Sequence, residues 1–343
     1  MMKISNSSKA ANLEKLQAIG VRVPVFTILT SDVIAYIKES HEPKHKLASV
    51  LGLRSELHIE TSKKTWSIRS SGNYSTPGRM STVLNIDSEM SSMYNGFKQV
   101  VESSKSKRLS KYLDVKNIDD FEFEIIVQEM IDASTSKTDC SGVLTTIHPV
   151  TQMPGLYGNI AIGQRGDKLM SGTVNSHSLY DIPDFDMTGY LSLIKQVDII
   201  KRHFTEPQEI EFVIKGSVAW ILQTRNFSKF NLSNIVNIDD QIDIDNLMGQ
   251  GTSATPFSCI GEVTYDRLNC ENKILITDFT DFDDVVELVD CLGIITKIGG
   301  TLSHAALIAR DFEKPCIVGT KFNNDPREGD IVILHNKGGI FKT

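Results

Sequence analysis

The chain has 343 residues, 40% of them hydrophobic and 23% charged, with a formal net charge of −7. That length suits about two domains, and the composition excludes a disordered, collagen-like or disulfide-scaffold protein. The acidic balance argues against nucleic acid or an anionic membrane as partner.

Five cysteines (Cys140, Cys259, Cys270, Cys291, Cys316) show no CxxC spacing and cannot all pair within the chain, so free thiols in a cytoplasmic protein are expected. The sequence holds no apolar run of roughly 18 residues. Its start, MMKISNSSKAANL, lacks a signal-peptide core.

In chain order, Ala10, Leu13 and Leu16 fall at helical spacing, with Gly20 as the stop. Val21–Leu29 reads as extended, 31–51 as helical, and WSIRSSG at 66–72 as a strand. Residues 88–113 read as helix, and 121–131 and 141–147 as strands. The glycine-rich stretch 155–180 suggests loops and short strands, and 188–203 a helix. EIEFVI and VAWILQTR form a hairpin pattern turning at Lys215 and Gly216. Residues 226–250, rich in Asn and Asp, read as a connection between domains. A second compact region follows, with strands near 273–277, 293–296, 316–319, 330–334 and 339–342.

The most informative stretch is IITKIGGTLSHAALIARDFEKPCIVGT, residues 294–320. Gly299 and Gly300 allow a tight turn, and Ser303 is a good N-cap. Ala305, Ile308, Ala309 and Phe312 share a helical face, and Pro315 ends the helix at or before Lys314. His304 therefore sits at a helix start, where backbone N–H groups and the dipole disfavour imidazolium and favour arriving negative charge. A histidine accepting a phosphoryl group needs both properties. One that merely packs or caps a helix would show the same local pattern.

This segment resembles the phosphohistidine domain of the PEP synthase and pyruvate phosphate dikinase family, whose pattern is GGxTSHAAIxAR. Gly299, Gly300, Ser303, His304, Ala305, Ala306, Ala309, Arg310, Pro315, Val318 and Gly319 match it. Leu302 separates Thr301 from Ser303, where the family has Thr directly before Ser. The resemblance marks Gly299, Gly300, Thr301 and Ser303 as the loop around the phosphohistidine. ILITDFTDFDDV at 274–285 is similar to the family's ILVTxxTxPDW.

Further matches to that family run along the N-terminal part. SSKAANLEKL at 7–16 resembles GGKGANLAEL, with Lys9 on the phosphate-contacting lysine and Ser7–Ser8 in place of the glycine pair. SIRSS at 67–71 resembles VRSS, with Arg69 on the phosphate-binding arginine. STPGRMSTVLNI at 75–86 resembles the loop that covers the triphosphate, Gly78 and Thr82 included. IIVQEMI at 125–131 resembles the adenine-hinge strand, giving Gln128, Glu129, Met130 and Ile131 to ATP binding. SGVLTT at 141–146 resembles SGVMFT on the next strand.

Glu209 and Glu211 share one face of a strand, because side chains repeat every two residues. Exposed acids alternating on a strand would look the same. In the family's DIEW/FxI…LYxLQxR pattern, Glu209 stands where the family has Asp, Glu211 and Gln223 match the magnesium-holding residues, and Arg225 matches the terminal arginine. Carboxylate and amide oxygens are the hard donors Mg²⁺ requires.

The resemblance implies a mixed α/β (α+β) protein. An ATP-grasp nucleotide domain would occupy 1–227 and a linker 228–250. A small swivelling β/β/α phosphohistidine domain would occupy 251–343. It also implies an ATP- and Mg²⁺-dependent phosphotransferase of dikinase type, with His304 and Arg69 catalytic and AMP released. The family's PEP/pyruvate barrel finds no counterpart here, so the acceptor is expected to be another small molecule or to be borne on a separate chain. Two alternatives stay open: an ATP-grasp ligase releasing ADP, and a non-catalytic phosphocarrier or regulatory nucleotide-binding module.

Overall fold

The structure, a computed structural model, describes residues 8–52, 64–74, 80–170, 177–227, 230, 235, 238–280 and 285–343. The chain divides into two compact units. The first is Met1–Asp132 with Leu193–His203 and Ala219–Arg225; the second is Ala133–Ser192 with Phe204–Val218 and Asn226–Thr343.

In the first unit, α1 (Ser8–Ala18) leads to β1 (Phe26–Leu29), α2 (Ser31–Lys38), α3 (Pro43–Gly52), β2 (Trp66–Gly72) and β3 (Thr82–Ile86). α4 (Met90–Ser103), α5 (Lys107–Val115) and β4 (Phe123–Glu129) follow. The strands form an antiparallel sheet in the order β1-β4-β2-β3. Its helix-covered face buries Leu29, Trp66, Ile68, Ile125 and Val127 against Ile34, Leu47, Met93, Phe97 and Val100. α1 buries Ala10, Leu13 and Leu16, the spacing expected of one helical face. Gly20 stops it in a left-handed conformation, with Val21 N returning to Leu16 O at 3.0 Å.

Several sequence expectations are corrected in detail. The single helix expected over 31–51 is two, because Pro43 starts a new one. The helix expected over 88–113 breaks where Ser106 caps α5, its hydroxyl accepting from Leu109 N at 3.2 Å. β1 is shorter than the expected 21–29, and β3 lies where only a loop was read.

In the second unit, β5 (Cys140–Ile147) lies between β6 (Pro154–Ile162) and a later strand, β8 (Gln208–Lys215), all antiparallel. α6 (Gly166–Met170) and β7 (His177–Ser178) follow β6 in the chain, and β7 pairs with it. β6 runs nine residues despite Gly155 and Gly158, which the sequence reading assigned to loops. α7 (Ile182–His203) is longer than the expected 188–203 and carries a kink at Asp186. The chain turns after β8 at Gly216 and Ser217, both left-handed, so the turn is one residue later than expected; β9 (Val218–Asn226) follows, its residues Ala219–Arg225 belonging to the first unit.

The remainder of the second unit is a closed barrel of seven strands: β10 (Leu247–Ser253), β11 (Cys259–Thr264), β12 (Ile274–Thr277), β13 (Gly293–Thr296), β14 (Cys316–Phe322), β15 (Ile331–Leu334) and β16 (Gly339–Lys342). Strands β11 to β14 run parallel to one another, and β10, β15 and β16 close the ring by antiparallel pairing.

The short apolar strands are buried on both faces, and their alternation sorts the two sides. Ile274, Ile276, Ile295 and Ile317 fill the interior. Leu275, Ile294, Cys316 and Val318 pack outward on α8 (Val285–Asp290) and α9 (His304–Asp311). β10 starts inside the stretch read as a connection, and Ile238 packs on Ile333 and Phe341 of the barrel. No helix among the described residues is long and apolar enough to cross a membrane.

Candidate active site

Each unit gathers part of the expected machinery. In the first, Arg69 projects from β2 directly across from Thr82 on β3. Its guanidinium donates to Gln223 Oε1 at 3.3 Å, to Leu222 O at 3.2 Å and to Gln128 Oε1. Gln128 in turn donates to Leu222 O at 3.2 Å. Arg69 is thus held in place by two side-chain amides and a backbone carbonyl, and a planar guanidinium fork is the group that suits a phosphate's oxygens.

Lys9 lies at the start of α1, and the next residue's amide donates to Ser71 Oγ at 3.0 Å, which brings the lysine to the β2 end that carries Arg69. Asn12 donates to Thr224 O at 2.9 Å, which ties the same helix to the strand bearing Gln223 and Arg225. Of the expected hinge, Glu129 N and Met130 N already donate to Val25 O and Thr65 O at 2.8 and 2.9 Å. Glu129's carboxylate pairs with Lys64 at 2.8 Å. The two backbone amides are therefore engaged within the fold. Gly78 lies outside the described residues.

The second unit holds the histidine. β13 ends at Thr296, the loop turns through Gly299 at φ +119°, and α9 begins at His304, which is completely buried. A left-handed φ of this size suits only glycine comfortably. Ser303 caps the helix by backbone: its carbonyl accepts from Leu307 N and its own amide donates to Gly300 O, both at 2.9 Å. A side chain at Gly300 would press on the Asn159 carboxamide of β6, at 3.3 Å from its oxygen, so the loop lies close against that strand.

Arg310, one residue short of the end of α9, reaches the other side of the loop. It donates to Thr301 O and forms an ion pair with Glu209 Oε2 of β8 at 3.3 Å, with both side chains more than nine-tenths buried. Its guanidinium also stands 5.3 Å from the centre of the Phe227 ring, a cation–π distance. Burial pushes the neighbouring Cys316 thiol up to about 12, with the Arg310 charge pulling the other way.

Glu211 is on β8 in the second unit, two residues from Glu209, and Gln223 is on β9 in the first. Among the described residues no group of three or more His, Cys, Asp and Glu side chains is arranged to hold a metal. The oxygens of Glu211 and Gln223 are nevertheless of the hard type that magnesium takes.

Sequence reasoning missed Asn159, Thr296 and the Arg310–Glu209 pair. Arg310 stood in the recognised motif without a role. A charged residue directly following the apolar run Ala305–Ala309 of the helix was the available sign that it needs a buried partner.

Comparison with known proteins matches the two regions separately. Residues 53–182 match the pyruvate phosphate dikinase AMP/ATP-binding domain, and residues 269–339 the mobile domain of PEP-utilising enzymes. The chain belongs to the PEP synthase and pyruvate phosphate dikinase family. Among curated members of that family, it is 28% identical over 291 residues to pyruvate, phosphate dikinase of Rickettsia typhi, covering 70% of this chain and 33% of that one. It is 25% identical over 260 residues to pyruvate, phosphate dikinase 2 of Zea mays, covering 64% and 29% respectively. The chain therefore spans about a third of the length of these dikinases. Among solved structures, D-alanine–D-alanine ligase from Helicobacter pylori aligns at a TM-score of 0.35 and 9% identity, over 65% of this chain and 54% of its own.

Proposed function

We propose that the chain transfers a phosphoryl group from ATP to an acceptor through a covalent intermediate on His304, releasing AMP. The observation that carries this reading is the setting of His304. It is fully buried at the N-terminus of α9, behind a left-handed Gly299, in the region that matches the mobile domain. Negative charge arriving on its ring meets the positive end of the helix and the loop amides.

In this reading an imidazole nitrogen attacks the β-phosphorus of ATP. The bond to the α-phosphate oxygen breaks, and AMP departs with the electron pair. Loss of the outer phosphoryl group, to water or phosphate, leaves phospho-His304. Arg69, Lys9 and Arg225 neutralise the phosphates, and the fixed fork of Arg69 serves the charge that grows in the transition state. Thr82, and Gly78 in the covering loop, close over the phosphates, while Gln128 to Ile131 border the base and Glu209 the nucleotide. Glu211 and Gln223 would hold Mg²⁺, which supplies further neutralisation of the phosphates.

The reading divides the chain into a nucleotide domain at 1–227, a hinge at 228–250 and a carrier domain at 251–343. Its acceptor is a small molecule or is borne on a separate chain, and its place is the cytosol, where the five thiols stay reduced.

The test is product identity. With ATP and Mg²⁺ the protein forms AMP, and β-labelled ATP leaves label on His304. His304→Ala removes both the label and AMP formation. Release of ADP with an unlabelled His304 would replace this reading by an ATP-grasp ligase.

A further inference from the structure

The loop next to His304 carries two hydroxyls that the fold leaves unused. Thr296 is 1% exposed and Ser303 7% exposed, and the side-chain oxygen of each has no hydrogen-bond partner. Buried hydroxyls are nearly always paired, so each case calls for a reason.

Local chemistry makes the omission sharper. Ser303 is the N-cap of α9, where a serine oxygen ordinarily accepts from an amide of the first turn, yet it makes no such bond. Thr296 pairs in register with Thr277 on the neighbouring parallel strand. Thr277 Oγ1 is fully engaged, donating to Phe279 O at 3.0 Å and accepting from Arg267 at 2.6 Å. The same residue type at the same level of two adjacent strands is thus satisfied in one and not in the other.

The two free hydroxyls flank one point. A methyl group built on Gly299 would lie 3.2 Å from Ser303 Oγ and 3.8 Å from Thr296 Oγ1. Gly299 keeps that space clear. Hydroxyl donors at the N-terminal end of a helix make an environment for oxyanions.

We propose that Thr296 and Ser303 are the hydrogen-bond donors for the phosphoryl group carried by His304, receiving two of its non-bridging oxygens as the N–P bond forms. This rests on the carrier role of His304. No proton changes hands: both hydroxyls donate hydrogen bonds while AMP leaves with the electrons of the broken P–O bond. Their partners arrive with the phosphoryl group, which is why they are unpaired without it.

The test compares Thr296→Val and Ser303→Ala with Thr296→Ser and Ser303→Thr, which keep a hydroxyl. Three quantities are read: the rate of label transfer from β-labelled ATP to His304, the KM for ATP, and the urea midpoint of unfolding. Removing either hydroxyl slows labelling by about a hundredfold to a thousandfold, as loss of one oxyanion donor does. KM and the urea midpoint stay unchanged, because neither hydroxyl bonds to anything in the unlabelled protein. The hydroxyl-retaining variants recover most of the rate.

Wild-type labelling rates in Thr296→Val and Ser303→Ala overturn the proposal. So does a slower rate that merely tracks a lowered midpoint, which would assign the hydroxyls to folding, for instance through a buried water. Wild-type protein that never labels overturns the carrier reading, and this proposal with it.

Discussion

Gly299 shows how a single position can be fixed by two demands. Its φ of +119° lies where other residues are strained, and the space a side chain would take is bounded by Ser303. Gly299→Ala is expected to cost about 1–3 kcal/mol, the usual range for a residue held in a sparsely populated conformation. Gly300→Ala should cost less, because its φ is not left-handed and the added methyl carbon would meet the Asn159 carboxamide at 3.3 Å, a contact relieved by a shift of a few tenths of an ångström. Urea unfolding of the two variants measures the difference, and equal losses would contradict this account. At this scale much of the site was legible. His304, Gly299, Gly300, Ser303 and Arg69 all stand out in short ordered motifs. Asn159 and Thr296 do not, because neither residue type is unusual where it stands. Their importance comes from what lies next to them in space, over a hundred positions away for Asn159 and Gly300.

Between elements, the contact with most at stake is the ion pair joining α9 to β8. Arg310 and Glu209 are 101 positions apart in sequence and both nearly devoid of solvent. Removing one partner strands a buried charge, so Arg310→Ala is expected to destabilise the protein by about 3–5 kcal/mol. Replacing both residues, as Arg310→Met with Glu209→Gln, should cost clearly less than the sum of the single changes, since neither charge is then left alone. A double-mutant cycle in urea checks this, and additivity would mean that the pair is not coupled.

Elements themselves were read from the sequence where a strong period coincided with a clear stop, as at α1, β2, β12, β13 and α9. They were misread where glycine diluted the pattern, as in β6 and β10, or where a cap such as Ser106 divided one apolar period between two helices. Closure of the barrel was not legible at all. It depends on β10 pairing with both β14 and β16, partners about 70 and 90 positions away in the chain.

For the whole molecule, the carrier role proposed for His304 raises the question of how an acceptor would reach it. His304 belongs to the second unit and is completely buried. Two contacts keep its loop against the sheet of that unit: Gly300 on Asn159 of β6, and Arg310 on Glu209 of β8. Under the proposed carrier role, a phosphoryl group on His304 would be shielded there from water, which protects a labile N–P bond, but would also be shielded from an acceptor. In the proposed reading, onward transfer would require the barrel to leave the sheet, and the Arg310–Glu209 pair would break as it does. Opening of this kind has a free energy between zero and that of global unfolding, and loss of the pair lowers it.

Chemical modification by diethyl pyrocarbonate, followed by mass spectrometry, reads that equilibrium directly. His45, whose side chain is 78% exposed although its Nδ1 lies 2.9 Å from Glu42 Oε2, serves as the accessible reference and should react readily. His304 should react at least about tenfold more slowly, in proportion to the open fraction. In Arg310→Ala the His304 rate should rise while that of His45 stays put. Equal rates for the two histidines in the unaltered protein would show that the enclosed arrangement is not the resting state. An unchanged His304 rate in Arg310→Ala would show that the ion pair does not hold the loop closed.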